Sequence, residues 1–357
     1  MTTTKDRLDA PTRRDLLRGA GAGAGALGAM AAGLPTLAIA QDGPIVWVAY
    51  GGSTQEAQKK TIVAAFMADT GIEVIPASGP DLAKLKAQVQ TGNLEWDVIG
   101  VIGSQAIRAG RAGLLEKMDY SIVDTADLDI PPLEYCAPYY SYGGGIGYDP
   151  ARHPEGRHPT NWQEFWDVER FPGRRGLRNR PDENLEMALM ADGVAARDLY
   201  PLDVDRAFAS LDRIKPHVSH WIAGTPQTIS LLTQNEIDFV FTYSGRVEAA
   251  QRDGQSVAYV YENNIVTGAY VAVTRGSRNR DAAMRLVSYF LKPELQAAFC
   301  NIMGYGPSKS TARAHLEPEV LARQPDLQDP GTAITDVEWW AENGEAVTTR
   351  FKTWLLT

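Results

Sequence analysis

"IVWVAYGGSTQEAQKKTIVAAFMADTGIEVIPA", residues 45–77, is the stretch whose reading decides the fold. Its first six residues are apolar and largely β-branched or aromatic, and they run into Gly51-Gly52, the pattern of a short buried strand closed by a turn. Ser53 or Thr54 is placed to cap a helix in which Ile62, Val63, Phe66 and Met67 share one face, and Gly71 stops it. "IEVIPA" (72–77) is then a second strand, residues 81–91 a second helix, and "WDVIGV" (96–101) a third strand. Short helices alternating with buried strands predict an α/β sheet with helices on its faces.

Outward from that unit the texture changes. "PPLEYCAPYYSYGGGIGYDP" (131–150) is crowded with Pro, Gly and Tyr and reads as extended chain with turns. A second unit follows: a short helix in "TNWQEFWD" (160–167), a strand in "GRRGLRN" (173–179) and a helix in "PDENLEMALMADG" (181–193). "IDFVFTY" (237–243) and "IVTGAYVAVT" (265–274) are further strands, and Pro293 interrupts a long amphipathic helix over 280–299. The tail from Thr335 carries Trp339, Trp340, Phe351 and Trp354 on an apolar face. The expected division is 41–145 plus 269–312 for one lobe and 146–268 plus 313–357 for the other. A cleft between the lobes is where ligands favour binding.

Upstream lies a leader. Lys5, Arg7, Arg13, Arg14 and Arg18 precede an apolar Gly/Ala-rich run from Gly19 to about Leu37, and Ala38-Ile39-Ala40 is a small-x-small cleavage pattern. The run is too weakly hydrophobic for a membrane anchor. Arg13-Arg14 followed by Asp15, Leu16 and Leu17 resembles the bacterial twin-arginine export signal, with an ordinary Sec signal or a basic tail as the alternative. Cleavage after Ala40 would remove five basic and three acidic side chains, moving the formal charge from -9 to about -11. Such an acidic chain without a basic run is a poor partner for nucleic acid or an anionic membrane surface. The expectation is therefore an exported, periplasmic monomer.

Catalytic motifs are missing. "GGSTQ" and "YSGRV" fail the spacing of a nucleophile elbow, and there is no P-loop. "GGGIGY" (143–148) lacks the third glycine of a dinucleotide fingerprint and reads as a turn. His217 and His220 could share a face around a metal, but no third ligand stands beside them, and a solvated pair is the plainer account. Cys136 and Cys300 form no C-x-x-C, so neither an iron–sulfur cluster nor c-type haem is indicated. In an oxidising compartment the two could pair, or both could be buried thiols. No cofactor and no metal are expected.

Binding features remain. Tyr50-Gly51-Gly52-Ser53 ends the first strand, and Ser104 opens a helix after the third. Tyr142-Gly143 sits where the chain should pass between lobes, and Tyr243-Ser244-Gly245-Arg246 ends a strand. Each sets an aromatic or hydroxyl beside a glycine-loosened turn, although tyrosines and glycines also simply decorate such loops.

The order and spacing of these pieces resemble the periplasmic solute-binding proteins of ABC importers, within them the spermidine/putrescine-type receptors. The likeness spans essentially the whole chain after the leader. It rests on "TIVAAFMADTGIEVI", "WDVIGVIGSQAIRAGRAGLLEKMD", "PYYSYGGGIGYDP", "TNWQEFWDVERFPGRRGLR", "PDENLEMALM" and "NRDAAMRLVSYFLKPELQAAFCNIMGYGPSKSTARAHLEPEV". It implies a two-lobed type II binding-protein fold that closes on a small solute and docks on a membrane permease. Polyamine receptors of this kind hold their cation with several carboxylates and a box of aromatics. Here Glu183 resembles one ligand carboxylate, a second acid position holds Arg180, and Tyr243 resembles an aromatic wall residue. The crossing strand reads Thr267-Gly268-Ala269 where such receptors carry a Trp and an acid.

That departure has a physical consequence. A dication in a closed cleft needs matching negative charge, because an unpaired buried charge costs several kcal/mol. Arg180 suits a carboxylate, and Pro181 places it at the start of a helix whose amino end also favours anions. Glu183 could accept hydrogen bonds from an ammonium. A carboxylate-bearing or amino-acid-like solute is expected over a polyamine, which remains the alternative. An exported enzyme using the same cleft, a sensor docking on a receptor kinase, and a ferric-type metal receptor complete the readings. The last is disfavoured because Tyr139-Tyr140 lies early in the chain, where a core or surface role is expected.

Overall fold

The computed structural model describes residues 43–357 except Asp326 and Gln328, so the leader and its expected cleavage after Ala40 lie outside the described residues. The strands are β1 (Ile45–Ala49), β2 (Val74–Ser78), β3 (Val98–Ile102), β4 (Ala137–Tyr148), β5 (Arg175–Arg178), β6 (Val218–Ile222), β7 (Phe239–Tyr243), β8 (Ala258–Tyr259), β9 (Ile265–Val273), β10 (Gly306–Pro307) and β11 (Ala333–Ile334). The helices in the first half are α1 (Gly52–Gln58), α2 (Ala64–Thr70), α3 (Leu82–Thr91), α4 (Gly103–Arg111), α5 (Trp162–Trp166) and α6 (Asn184–Ala191). Those in the second half are α7 (Val204–Ile214), α8 (Gln227–Thr233), α9 (Ser244–Arg252), α10 (Arg280–Phe290), α11 (Pro293–Met303), α12 (Pro318–Leu321) and α13 (Val337–Leu356).

The sheet runs β2-β1-β3-β9-β4-β7-β5-β6. Pairing is parallel among β1, β2 and β3 and among β5, β6 and β7, and antiparallel where β9 and β4 join the two sets. Alternation along each strand sends side chains to opposite faces. Trp47 and Val98 therefore enter one core with Phe66 and Phe290, while Val48 and Ile99 enter another with Trp96 and Tyr270. In the second set Phe239 and Phe241 pack with Trp162 and Leu211, and Val240 with Ile222 and Leu232. Each set of parallel strands thus carries its own pair of cores, and the molecule is two-lobed. Ala137 and Ile146 of β4 belong to different lobes' cores, as do Val271 and Ile265 of β9. These are the crossing strands.

Several local expectations need correction. Gly51, with φ 80°, is the cap residue of α1, and no side chain caps it, so neither Ser53 nor Thr54 has that role. Met67 lies at the edge of its helical stripe and is exposed, unlike Phe66. The "GGGIGY" run is not a turn but the second half of β4. It is glycine-rich because aromatic side chains lie against it: a Cβ on Gly144 would sit 2.2 Å from Cζ of Phe241, and one on Gly145 2.7 Å from the Tyr259 hydroxyl. Cys136 and Cys300 are both free and buried. They pack in the cores on opposite faces of the sheet, so a bond between them would have to cross it.

Candidate ligand-binding cleft

Four neighbouring strands, β3, β9, β4 and β7, meet where the lobes join. Register places Ile102 of β3, Ala269 of β9 and Tyr140 of β4 side by side. Thr267 pairs with Tyr142, and Gly144 with Tyr243, in the same phase, so these residues share one face of the sheet. A register shift between Pro138 and Tyr140 breaks the alternation locally. Tyr139 and Tyr140, consecutive in sequence, can therefore both face this side.

Above that floor is a cavity of about 280 Å³. Seven tyrosines line it: Tyr50, Tyr139, Tyr140, Tyr142, Tyr243, Tyr270 and Tyr305. Tyr140 stacks on Tyr305 with ring centres 5.0 Å apart, Tyr142 meets Tyr243 edge-on at 5.4 Å, and Gln58 Nε2 donates to the Tyr139 hydroxyl at 2.7 Å. The only charged lining residues among those described are Arg180 and Arg246; no carboxylate lines this chamber. Arg246 makes no hydrogen bond or ion pair through its guanidinium to the described residues.

Arg180 is differently placed. The helix expected to start there begins at Asn184, whose Nδ2 donates to the carbonyls of Arg178 (2.6 Å) and Arg180 (2.7 Å) and pins the preceding turn. Glu183 has φ 70°, a left-handed conformation that a non-glycine residue rarely adopts, and its carboxylate faces Arg180. Arg180 donates to Glu183 Oε2 from Nη2 at 2.7 Å and from Nε at 3.2 Å, and its Nη2 reaches Oε1 at 2.9 Å and the Tyr243 hydroxyl at 2.5 Å. Asp182 approaches its Nε at 3.0 Å. Tyr243 also donates to Glu183 at 2.5 Å. Burial pushes the Glu183 carboxyl above its ordinary value, against the pull of Arg180. For Arg180 the burial penalty is outweighed by Glu183, Tyr243 and Asp182, which hold it firmly protonated. Arg180, Asp182 and Glu183 thus form one cluster, with the buried Arg178 guanidinium in electrostatic reach of it, rather than two separated ends of a binding site.

A second cavity, of about 650 Å³, shares Ile102, Tyr142 and Arg180 with the first and is lined by Ser104, Asp182, Glu183 and Thr267. A third, of about 480 Å³, lies on the other side of Arg246 and includes Ser53. Of the residues singled out by sequence, Tyr50, Tyr142, Arg180, Tyr243, Arg246 and Ala269 line the tyrosine chamber. Four do not line any of these cavities. Gly51 and Gly52 (φ 80° and 66°) shape the loop, a Cβ on Gly143 would strike Pro325 and Asn264, and Ser244 is buried at the start of α9. Sequence reasoning missed Tyr139, Tyr140, Tyr305 and Asp182. The paired tyrosines were visible, but their bulge was not. Among the described residues no group of three His, Cys, Asp or Glu could hold a metal, and no helix is long and apolar enough to cross a membrane.

Residues 61–328 match the family described as bacterial extracellular solute-binding protein. The chain is 32% identical to a gamma-aminobutyric acid-binding protein of Pseudomonas aeruginosa, over 89% of its own length and 92% of the relative's. The chain belongs to this solute-binding family. A solved structure of a GABA receptor superposes with a TM-score of 0.80 at 33% identity, covering 87% of this chain and 97% of that one. The spermidine/putrescine-binding periplasmic protein of Escherichia coli is 23% identical, over 80% of this chain and 84% of its own. The two-lobed architecture is that of a substrate-binding protein of an ABC transporter, which binds a small solute and works with a permease.

Proposed function

We propose that this solute-binding protein captures a zwitterionic, amino-acid-like solute in the periplasm and delivers it to its permease without transforming it. One observation carries the reading: the chamber holds a guanidinium, Arg246, with no partner among the described residues and no acid, while Asp182 and Glu183 stand together beside Arg180 at its edge. A carboxylate fits Arg246 as a charge-assisted hydrogen-bond partner. An ammonium fits the acidic cluster, with tyrosine faces offering cation–π attraction. Such a ligand is neutral overall and adds no net charge to a site where Arg178, Arg180 and Arg246 already face Asp182 and Glu183. A polyamine dication would bring two further positive charges to a site with three guanidinium groups and two carboxylates, and would be repelled by Arg246. The binding named in the two GABA-linked relatives agrees with this chemistry.

The lobes would divide in β4 and β9, near 145 and 269, with closure about those strands. Leu316 and Val320 pack in the Trp47 core, which favours a last crossing beyond Val320 rather than at 312. The leader would direct export and be cut after Ala40. Calorimetry of the purified protein tests the ligand class. 4-Aminobutyrate and related ω-amino acids should bind at micromolar concentration or tighter, and putrescine and spermidine at least a hundredfold more weakly. Polyamine binding tighter than that of every amino acid tried would refute the charge argument.

A further inference from the structure

Gln58 breaks the pattern of its helix. It ends α1 just before a wider helical turn over Lys59–Val63, in a segment where Ile62, Val63 and Phe66 enter the first core. An apolar residue would suit that place, yet the side chain there is an amide, 1% exposed. Its Nε2 donates to the Tyr139 hydroxyl at 2.7 Å, and its Oε1 is buried and accepts from no described residue. Tyr139 belongs to the same core and lines the tyrosine chamber. Burial pushes its hydroxyl far above its ordinary value, against Gln58 and Tyr140, which both act on the oxygen as donors, so the phenol keeps its proton. That proton goes to no described residue: Gln58 Oε1 does not accept it, and no carboxylate lines the chamber.

We infer that Gln58 is a positioning residue: by occupying the oxygen of the Tyr139 hydroxyl, it turns that hydroxyl into a donor to the solute's carboxylate, shared with Arg246. The inference rests on the zwitterion reading above and adds to it a second, uncharged anchor for the anionic end. A phenol carries one hydrogen and accepts through its oxygen, so with an amide N–H on the oxygen the hydrogen must turn elsewhere. A hydroxyl held in this way has little to offer an ammonium and a charge-assisted hydrogen bond to offer an anion. Packing gives no reason for a buried amide with an unpaired oxygen in this stripe. Fixing the direction of one hydroxyl at the binding chamber does.

Calorimetry of 4-aminobutyrate on the intact protein tests this with three variants. Tyr139→Phe removes one oxygen and keeps the ring, Gln58→Met keeps the side chain's length, and the third carries both changes. Tyr139→Phe should weaken binding at least tenfold and Gln58→Met at least threefold. The double variant should match Tyr139→Phe within twofold, because Gln58 acts only through that hydroxyl. Thermal melting checks that each variant is folded at the temperature of the measurement, and should Gln58→Met not fold, the Tyr139→Phe result still decides. A smaller loss in Tyr139→Phe means that the proton goes to Gln58 Oε1 and refutes the assignment. So does a smaller loss in Gln58→Met, or losses that multiply in the double variant, the mark of a merely structural amide. In those cases a loss of affinity on Arg246→Gln leaves the zwitterion reading standing. If the wild type binds polyamines and no amino acid, both fail.

Discussion

Replacing Arg246 by Gln keeps most of the side chain's length and removes its charge. In the structure this guanidinium reaches the tyrosine chamber from the start of α9 and is held by no protein group among those described. Its loss should therefore leave the fold intact and fall on the ligand. A hydrogen bond to a charged partner is worth about 1.5–3 kcal/mol, or roughly 10- to 150-fold in Kd. Because Arg246 is exposed, the lower end applies, about 10- to 30-fold for 4-aminobutyrate. The same change removes a repulsion from any cation, so putrescine should gain affinity as 4-aminobutyrate loses it. Calorimetry of both ligands on wild type and variant measures the two shifts together. A Kd for 4-aminobutyrate within threefold of wild type would show that its carboxylate does not sit on Arg246.

Stability should titrate near neutrality through Glu186, which is fully buried, accepts from Tyr200 (2.5 Å) and from Trp340 Nε1 (2.8 Å), and leaves Oε2 without a partner. Burial pushes its carboxyl up to about 7. A raised acid favours the protonated fold, so its contribution is full below about pH 4.5 and is lost as pH rises through about 7. The cost is at most ~3 kcal/mol, and melting of wild type relative to Glu186→Gln should fall by several degrees between pH 5 and 8. Glu248, also pushed up to about 7 by burial, titrates in both proteins, so the difference between the curves isolates Glu186. Parallel curves would refute the assignment. For the leader, the intact mass of protein recovered from the periplasm should correspond to a chain starting at Gln41, and a start more than a few residues away would refute the cleavage site.

What the sequence revealed were features written in a single segment. Short apolar runs bounded by turn residues exposed the strands that carry Trp47, Ile99 and Phe241, and Gly71 and Pro293 marked helix ends where the structure has a left-handed cap and a first-turn proline. Features that depend on two segments meeting were hidden. The glycines of β4 signal a turn in one dimension, and only the approach of Phe241 and Tyr259 makes them a packing requirement. Arg180 and Glu183, three residues apart, read as two charges available to a ligand. The left-handed Glu183 instead folds them into one ion pair that Tyr243, sixty residues on, completes. Both arginines were legible in sequence, but not that Arg180 would be paired while Arg246 has no partner among the described residues.

The placement of these groups also bears on how binding would close the lobes. A ligand shifts a conformational equilibrium only by its difference in affinity for the two states, so contacts confined to one lobe shift nothing. Tyr50 and Ile102 stand at the ends of strands of the first set, whereas Arg180, Tyr243 and, in the first turn of α9, Arg246 stand at the ends of strands of the second. Tyr140 and Tyr142 lie on the crossing strand between them, and both pack against the first core. A carboxylate on Arg246 therefore draws on one lobe, while the aromatic surface around the rest of the solute is largely supplied by the other. On this reading affinity and closure would arise from the same contacts, and a solute too short to touch both walls should bind without closing the cleft.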